Sequence, residues 1–243
     1  MSPILVGSVY GASARSQAWY TLQQRFLGAT TDYHHVAYVN GPETSFLTAS
    51  RVIGQASHRA NPRIEHLRGL TALLGHFTSV AGEYDGFLVL DSDAFPCSPS
   101  WQPELLSAMG DRPVAAVIRH ENLDTFPHPC VVFLKPSALR QFSFSLAPRT
   151  NLLGQTFDDV ACDAATFYPL LRTNCRNRHP IMGAIYWRHF YHHGAGSRPP
   201  NFRSSFYHGL PTSPADDELL EERLFNELVD DPHQYIRGLT RLA

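Results

Sequence analysis

Short apolar runs alternate with stretches of helical spacing through the first hundred residues. Ile4 to Val9 is apolar and partly β-branched, which reads as a first buried strand. In RSQAWYTLQQRFLGA, Trp19, Leu22 and Phe26 recur at helical spacing, and Gly28 is placed to stop the helix. HHVAYVNG predicts a second strand ending in a turn. NPRIEHLRGLTALLGHF sets Ile64, Leu67, Leu70, Leu74 and Phe77 along one helical face, with Pro62 at its start. Phe87-Leu88-Val89-Leu90 then reads as a central strand. A β-α-β-(loop)-α-β order predicts an α/β fold with a largely parallel sheet.

The second half is less regular. PVAAVIRH and PCVVFLKP predict strands, and SALRQF a short helix. DDVACDAATFYPLLR offers Val160, Phe167 and Leu171 for a helix face. HHGAGSRPPNFRSS is rich in Gly, Pro and Ser and predicts loop. Ser213 as cap and Pro214 at the first position open a last amphipathic helix carrying Leu220, Leu224 and Leu228. No repeat and no linker divides the chain. The expectation is one α/β domain over 1–243 with a mixed, mainly parallel central sheet flanked by helices: 1–95, 96–210 and a C-terminal helix in 211–243.

Composition changes this picture little. Hydrophobic residues make up 43% of the 243 and charged residues 17%, an ordinary globular balance. No run approaches a membrane span. The first residues carry no basic leader, so no signal peptide is expected. Cys97, Cys130, Cys162 and Cys175 are scattered without a C-x-x-C pair, which points away from a zinc site or disulfide framework and toward a reducing cytoplasm. The net charge of −2 gives no global reason to bind nucleic acid. Its distribution is more telling. Between Asp163 and Asp216 there is no acidic residue, and the segment holds Arg172, Arg176, Arg178, Arg188, Arg198 and Arg203 with five histidines. Such a block suits an anionic ligand such as a phosphate; the alternative pairs some of these arginines with the acids of 216–231.

The candidate chemistry sits at the end of the central strand, where Asp91 and Asp93 follow the apolar run. In a strand, residues i and i+2 share a side. Beyond the carboxyl end of an open sheet they face the usual ligand crevice. Two converging carboxylates repel unless a cation lies between them, and a divalent ion bridging to a diphosphate resolves the conflict. The competing reading is that Asp91 caps the next turn and Asp93 is solvated.

FLVLDSDAF resembles the D-x-D segment of GT-A fold glycosyltransferases, which use nucleotide sugars. The resemblance implies that the aspartates engage the ribose and a Mn²⁺ or Mg²⁺ ion on the diphosphate. RIEHLRGLTALL, with His66, Arg68 and Gly69, is similar to the helix that precedes D-x-D in that group. FPHPCVVFLKPSALRQF, about 35 residues after D-x-D, resembles the strand and helix forming the floor of the sugar site, with Pro127-His128-Pro129 where the group has small residues. YHHGAGSRP resembles a late H-x-G-x-x-K-P loop, which makes His192 or His193 the third metal ligand and Arg198 the diphosphate contact. Mixed carboxylate and imidazole donors suit Mn²⁺ somewhat better than Mg²⁺.

The implied donor is a nucleotide-diphosphate sugar, with UDP or GDP as nucleotide. The first half would hold it. Arg15 in the YGASARS loop, Asn40 and Arg68 are its further candidate contacts, against the alternative that Asn40-Gly41 is simply a turn pair. Asp158, Asp159 and Asp163 are candidates for the carboxylate that takes the acceptor proton in an inverting enzyme, Asp159 ranked first because it opens an i, i+4 helix face with Asp163. The alternative is that they are helix N-terminal acids. The acceptor stays open between a small molecule, a glycan, a peptide and DNA. Tyr186, Trp187, Phe190 and Tyr191 among the arginines suit either stacking on a ligand or core packing.

Two rival readings remain at this stage. One resembles a haloacid-dehalogenase-like phosphatase, whose strand also ends in D-x-D, with Lys135 and Asp158-Asp159 in the order that group requires. The other is a non-catalytic module that binds a nucleotide sugar.

Overall fold

The computed structural model of the chain describes residues 3–11, 13–56, 62–120, 124–147, 149–150, 152, 154, 156–157, 160–163, 166–174, 183–193 and 214–241. Its centre is a seven-stranded sheet in the order β12-β6-β7-β4-β1-β2-β3. The strands are β1 (Ile4–Gly11), β2 (Tyr33–Asn40), β3 (Arg51–Ala56), β4 (Phe87–Asp91), β6 (Val114–Ile118), β7 (His128–Leu134) and β12 (Tyr168–Leu171). All are parallel except β7, which runs antiparallel to both its neighbours. β3 has no counterpart among the sequence-based expectations. Three of its six residues, Arg51, Gly54 and Gln55, are not apolar, and it lies at the sheet's edge, where one side needs no partner.

The helices fall where chain direction requires. β1 to β2 steps one way across the sheet through α1 (Ser16–Thr30), and β3 to β4 steps back past β1 through α2 (Pro62–Ser79). Right-handed crossovers of opposite direction must lie on opposite faces. The core shows this. Leu5, Val9, Phe87 and Val89 pack with Leu70, Leu73 and Phe77 of α2. The alternate residues Ile4, Val6, Leu88 and Leu90 pack with Leu27 of α1 and with Trp101 and Leu105 of α3 (Trp101–Met109). The buried stripe of α2 centres on Leu70, Leu73 and Phe77, while Ile64 is 46% exposed, so the expected face is rotated. Gly28 does not end α1, which runs on to Thr30.

After β4 a two-residue turn leads into β5 (Ala94–Pro96). β5 leaves the main sheet and forms a three-stranded one with β13 (Ala184–Tyr186) and β14 (Phe190–His192). On the α2 side, β8 (Ser143–Leu146) pairs with β11 (Val160–Asp163), and a small ribbon joins β9 (Arg149–Thr150) to β10 (Thr156–Phe157). The helix expected over 158–172 is not formed among the described residues. Its residues supply β11 and the edge strand β12. Pro169 would break a helix interior but is tolerated on an edge strand. SALRQF gives only a 3₁₀ turn, Pro136–Ala138.

At the C-terminus, α4 (Pro214–Asp230) starts at the expected proline, and a further helix, α5 (Pro232–Arg241), follows it. The expected cap, Ser213, lies outside the described residues. Phe225 and Leu228 of α4 and Ile236 and Leu239 of α5 close over Trp19, Leu22 and Phe26 of α1 and over Phe95 and Tyr191. Among the described residues, no helix is long and apolar enough to cross a membrane.

Candidate metal centre

Six strands end at one edge of the sheet, and β7 begins there. The direction of sheet order reverses between β1 and β4, the topological switch point at which open α/β sheets bind ligands. Asp91 is the last residue of β4 and lies beside Val9 of β1.

A third residue arrives from a distant part of the chain. β14 pairs antiparallel with β5, His192 opposite Ala94, and the His193 N–H donates to the Asp93 carbonyl at 3.1 Å. This ladder carries His192 Nε2 to 3.5 Å from Asp93 Oδ1 and 3.7 Å from Asp91 Oδ2. The three donor atoms lie within 4.8 Å of one another. Asp93 is 2% exposed. The Asp91 side chain is 25% exposed, and its Oδ1 lies 3.3 Å from His66 Nε2 of α2. That contact is not aligned as a hydrogen bond, and Oδ1 is a buried acceptor with no hydrogen-bond partner among the described residues.

The electrostatics follow from this crowding. Burial alone would lower the His192 pKa, but the adjoining Cys130 sulfur and the Asp93 carboxylate outweigh it and raise the pKa well above the ordinary value. A raised pKa is the direction that a neighbouring carboxylate imposes on an imidazole.

The donor set fits a small hard cation. Adjacent ligand atoms of an octahedral ion at about 2.1 Å lie about 3 Å apart, so the 3.5 and 3.7 Å separations from His192 Nε2 would close slightly around an ion. Two carboxylates with an imidazole suit Mn²⁺ or Mg²⁺, and the nitrogen donor favours Mn²⁺.

His193 does not share this geometry. Neighbouring residues of a strand face opposite sides, and His193 turns into the aromatic cluster. Its Nδ1 meets the Tyr191 hydroxyl at 2.9 Å, and its ring lies 4.9 Å from that of Trp19. Burial lowers its pKa to about 4. Of the two histidines expected to be alternatives, the structure brings only His192 to the aspartates.

The remaining sequence candidates are spread more widely. Arg15 lies at the start of α1 with its guanidinium over the Phe225 ring, 4.5 Å from the centroid. Asn40 ends β2 beside Gly11, and its buried Oδ1 has no hydrogen-bond partner among the described residues. Arg68 pairs with Glu65 one turn earlier on α2, at 2.8 Å. Asp163 ends β11 opposite Ser143, so the helical i, i+4 argument that ranked Asp159 first does not apply. Asp158, Asp159 and Arg198 lie outside the described residues. Tyr186, Phe190 and Tyr191 are buried, which decides for packing over stacking on a ligand.

Three features were missed in the sequence. A cavity of about 320 Å³ opens past the ends of β1 and β2, with Gly11, Ser13, Gln17, Glu43, Ser45 and Phe46 in its wall. It begins one strand spacing from β4, about 5 Å across the sheet. Next, Asp124 Oδ2 accepts from Arg119 Nε at 3.0 Å and lies 3.1 Å from His128 Nε2. This buried charge cluster ties the end of β6 to the start of β7, two residues before Cys130. Finally, Gln23 of α1 is fully buried directly against the Asp91–Ala94 turn. Cavities and long-range pairings leave no local sequence pattern; a glutamine within an otherwise apolar helix face was the one visible sign.

No family profile matches the chain, and no curated protein sequence does. Solved structures with a similar fold include a mannosyltransferase from Pyrobaculum calidifontis in complex with GDP-Man and Mn²⁺. It is 11% identical, with TM-score 0.40, over 56% of this chain and 46% of that one. TarS of S. aureus in complex with UDP-GlcNAc is 11% identical, with TM-score 0.37, over 58% and 47%. HddC from Yersinia pseudotuberculosis is 9% identical, with TM-score 0.39, over 70% and 90%. The chain thus spans about half the length of the first two.

Proposed function

We propose that this chain is a divalent-metal-dependent glycosyltransferase that moves a sugar from a nucleotide-diphosphate donor, UDP- or GDP-linked, to an acceptor hydroxyl or other nucleophile. The observation that carries the proposal is the meeting of Asp91, Asp93 and His192 at the switch point of the sheet. Two carboxylates and an imidazole drawn together from separate strands make a cation site, and a cation at that edge is suited to a diphosphate.

In this reading Asp91, Asp93 and His192 hold Mn²⁺ or Mg²⁺. His192 must give up its proton to bind, so uptake of the metal releases a proton. A cation held there would supply the charge that neutralises a departing diphosphate. The cavity past β1 and β2 takes the nucleoside; Asn40, which pairs with Gly11 of its wall, and Arg15, next in the chain to Ala14 and Ser16 of its wall, are assigned to the donor. Arg68 and Arg198 are assigned to the donor on sequence resemblance. The bond between the anomeric carbon and the diphosphate oxygen breaks, and the acceptor atom bonds to that carbon. In an inverting enzyme the acceptor proton passes to a carboxylate, for which Asp158, Asp159 and Asp163 remain the candidates. The acceptor itself is a small molecule, a glycan, a peptide or DNA.

The phosphatase reading loses its lysine. Leu134 of β7 lies opposite Phe87, the first residue of β4, which puts Lys135 at the other edge of the sheet from Asp91. Four residues of strand separate them, about 13 Å. Lys135 Nζ donates there to the Gly110 carbonyl.

The test is a thermal-shift screen of nucleotides and nucleotide sugars with and without Mn²⁺. One nucleotide should raise the Tm by about 5–10 °C at a hundredfold excess over Kd, only with the metal and not in Asp93→Asn. A shift that is indifferent to Mn²⁺ and to Asp93 overturns the proposal.

A further inference from the structure

The turn that presents both aspartates is held from behind by one side chain. Gln23 lies on α1, fully buried. Its Nε2 donates to the Asp91 carbonyl at 3.1 Å and to the Ala94 carbonyl at 2.8 Å. Its Oε1 accepts from the Ser8 hydroxyl at 3.0 Å and from the Tyr10 hydroxyl at 2.5 Å.

The orientation of this amide is forced. Backbone carbonyls only accept, so the nitrogen must face Asp91 and Ala94. The two hydroxyls of β1 then donate to the oxygen. An amide has two N–H donors and two acceptor lone pairs, and here all four are used.

The two carbonyls lie where the chain passes from one sheet to the other. β4 ends at Asp91 and β5 begins at Ala94 in a different sheet, so the chain changes partners across these residues. Buried carbonyls without a partner are costly. Gln23 bridges both ends of the change, and the His193 N–H holds the Asp93 carbonyl between them. Both ends of the turn are thereby tied to α1 and, through Ser8 and Tyr10, to β1. A residue that served only to fill the core at this place would be apolar, like Leu22 and Phe26 on the same helix.

We infer that Gln23 is a positioning residue for the cation site: its amide clamps the Asp91–Ala94 turn and so sets the separation of the two carboxylates. The inference rests on the reading of Asp91, Asp93 and His192 as metal ligands. Groups that orient metal ligands typically change metal affinity by about 10- to 100-fold when removed.

The experiment is a titration of Mn²⁺ into the full chain, followed by calorimetry, alongside urea unfolding of each variant. Gln23→Met keeps the volume and removes every hydrogen bond. It should weaken Mn²⁺ binding by about 10- to 100-fold. Tyr10→Phe removes one of the two hydroxyls that aim the amide and should weaken it less, in the same direction. Leu22→Ala, one residue away on α1, removes core packing without touching the turn. It should lower the unfolding midpoint and leave Mn²⁺ affinity unchanged. Wild-type binding with unchanged affinity in both Gln23→Met and Tyr10→Phe overturns the inference alone. Affinity that falls in Leu22→Ala as far as in Gln23→Met also overturns it, because the effect would then follow stability. Absence of Mn²⁺ binding by the wild type removes the reading of the site and the inference together.

Discussion

His35 lies under the site on β2, its Nδ1 2.6 Å from the Ser50 hydroxyl and its Nε2 3.4 Å from that of Ser8. Burial lowers its pKa from the ordinary 6.5 to about 3. Between those values the unfolded chain carries a proton that the folded chain refuses. Stability is therefore complete above the unfolded pKa and declines as pH falls through the window, by at most about 1.4 kcal/mol per pH unit. His193, lowered to about 4 for the same reason, adds a loss of the same sign. Urea unfolding at a series of pH values from 7 to 4 should show this slope, and His35→Phe should flatten it. An equal slope in the variant would assign the acid sensitivity elsewhere. At this scale the aspartates were legible because carboxylates after an apolar run demand an explanation. The choice between His192 and His193 was not legible. It depends on strand parity, and the strand exists only through pairing with β5, almost a hundred residues earlier in the chain.

Glycines show how closely the elements are fitted. A Cβ on Gly7 of β1 would lie 2.7 Å from Phe77 Cζ and 2.8 Å from Leu73 Cδ2. The missing side chain is what lets α2 settle onto the sheet beside the site. Gly7→Ala should destabilise the protein by about 1–3 kcal/mol through overpacking, measured by denaturant unfolding; an unchanged midpoint would mean that α2 can slide. The first two helices and most strands of the main sheet were readable because each carries its own period, whereas α3 was not anticipated. The segment 158–172 was misread because Val160, Phe167 and Leu171 can be placed on a helix face. Pairing with β8 and β6 overrode that pattern, and Pro169 was the local signal against it. β3 was missed for the reverse reason, since a short edge strand with only half its residues apolar has little pattern of its own.

Across the whole molecule, the site is assembled where the second sheet meets the first. The main sheet supplies Asp91, the turn supplies Asp93, and β14 returns from the far end of the chain with His192. α4 and α5 then cover β14's other face through Phe225, Leu228 and Ile236. The sequence announced an α/β fold and the acid pair at its edge, but the three-stranded sheet that completes the centre is a purely long-range product. The central claim is that this assembly holds a divalent cation. Electron paramagnetic resonance of Mn²⁺ tests it most directly, because the six-line spectrum of the free ion disappears on binding. Adding the protein with a nucleoside diphosphate should remove the signal at one ion per chain, beyond what the nucleotide removes alone, and Asp93→Asn should restore it. A free-ion spectrum that the wild-type protein leaves unchanged would contradict the account.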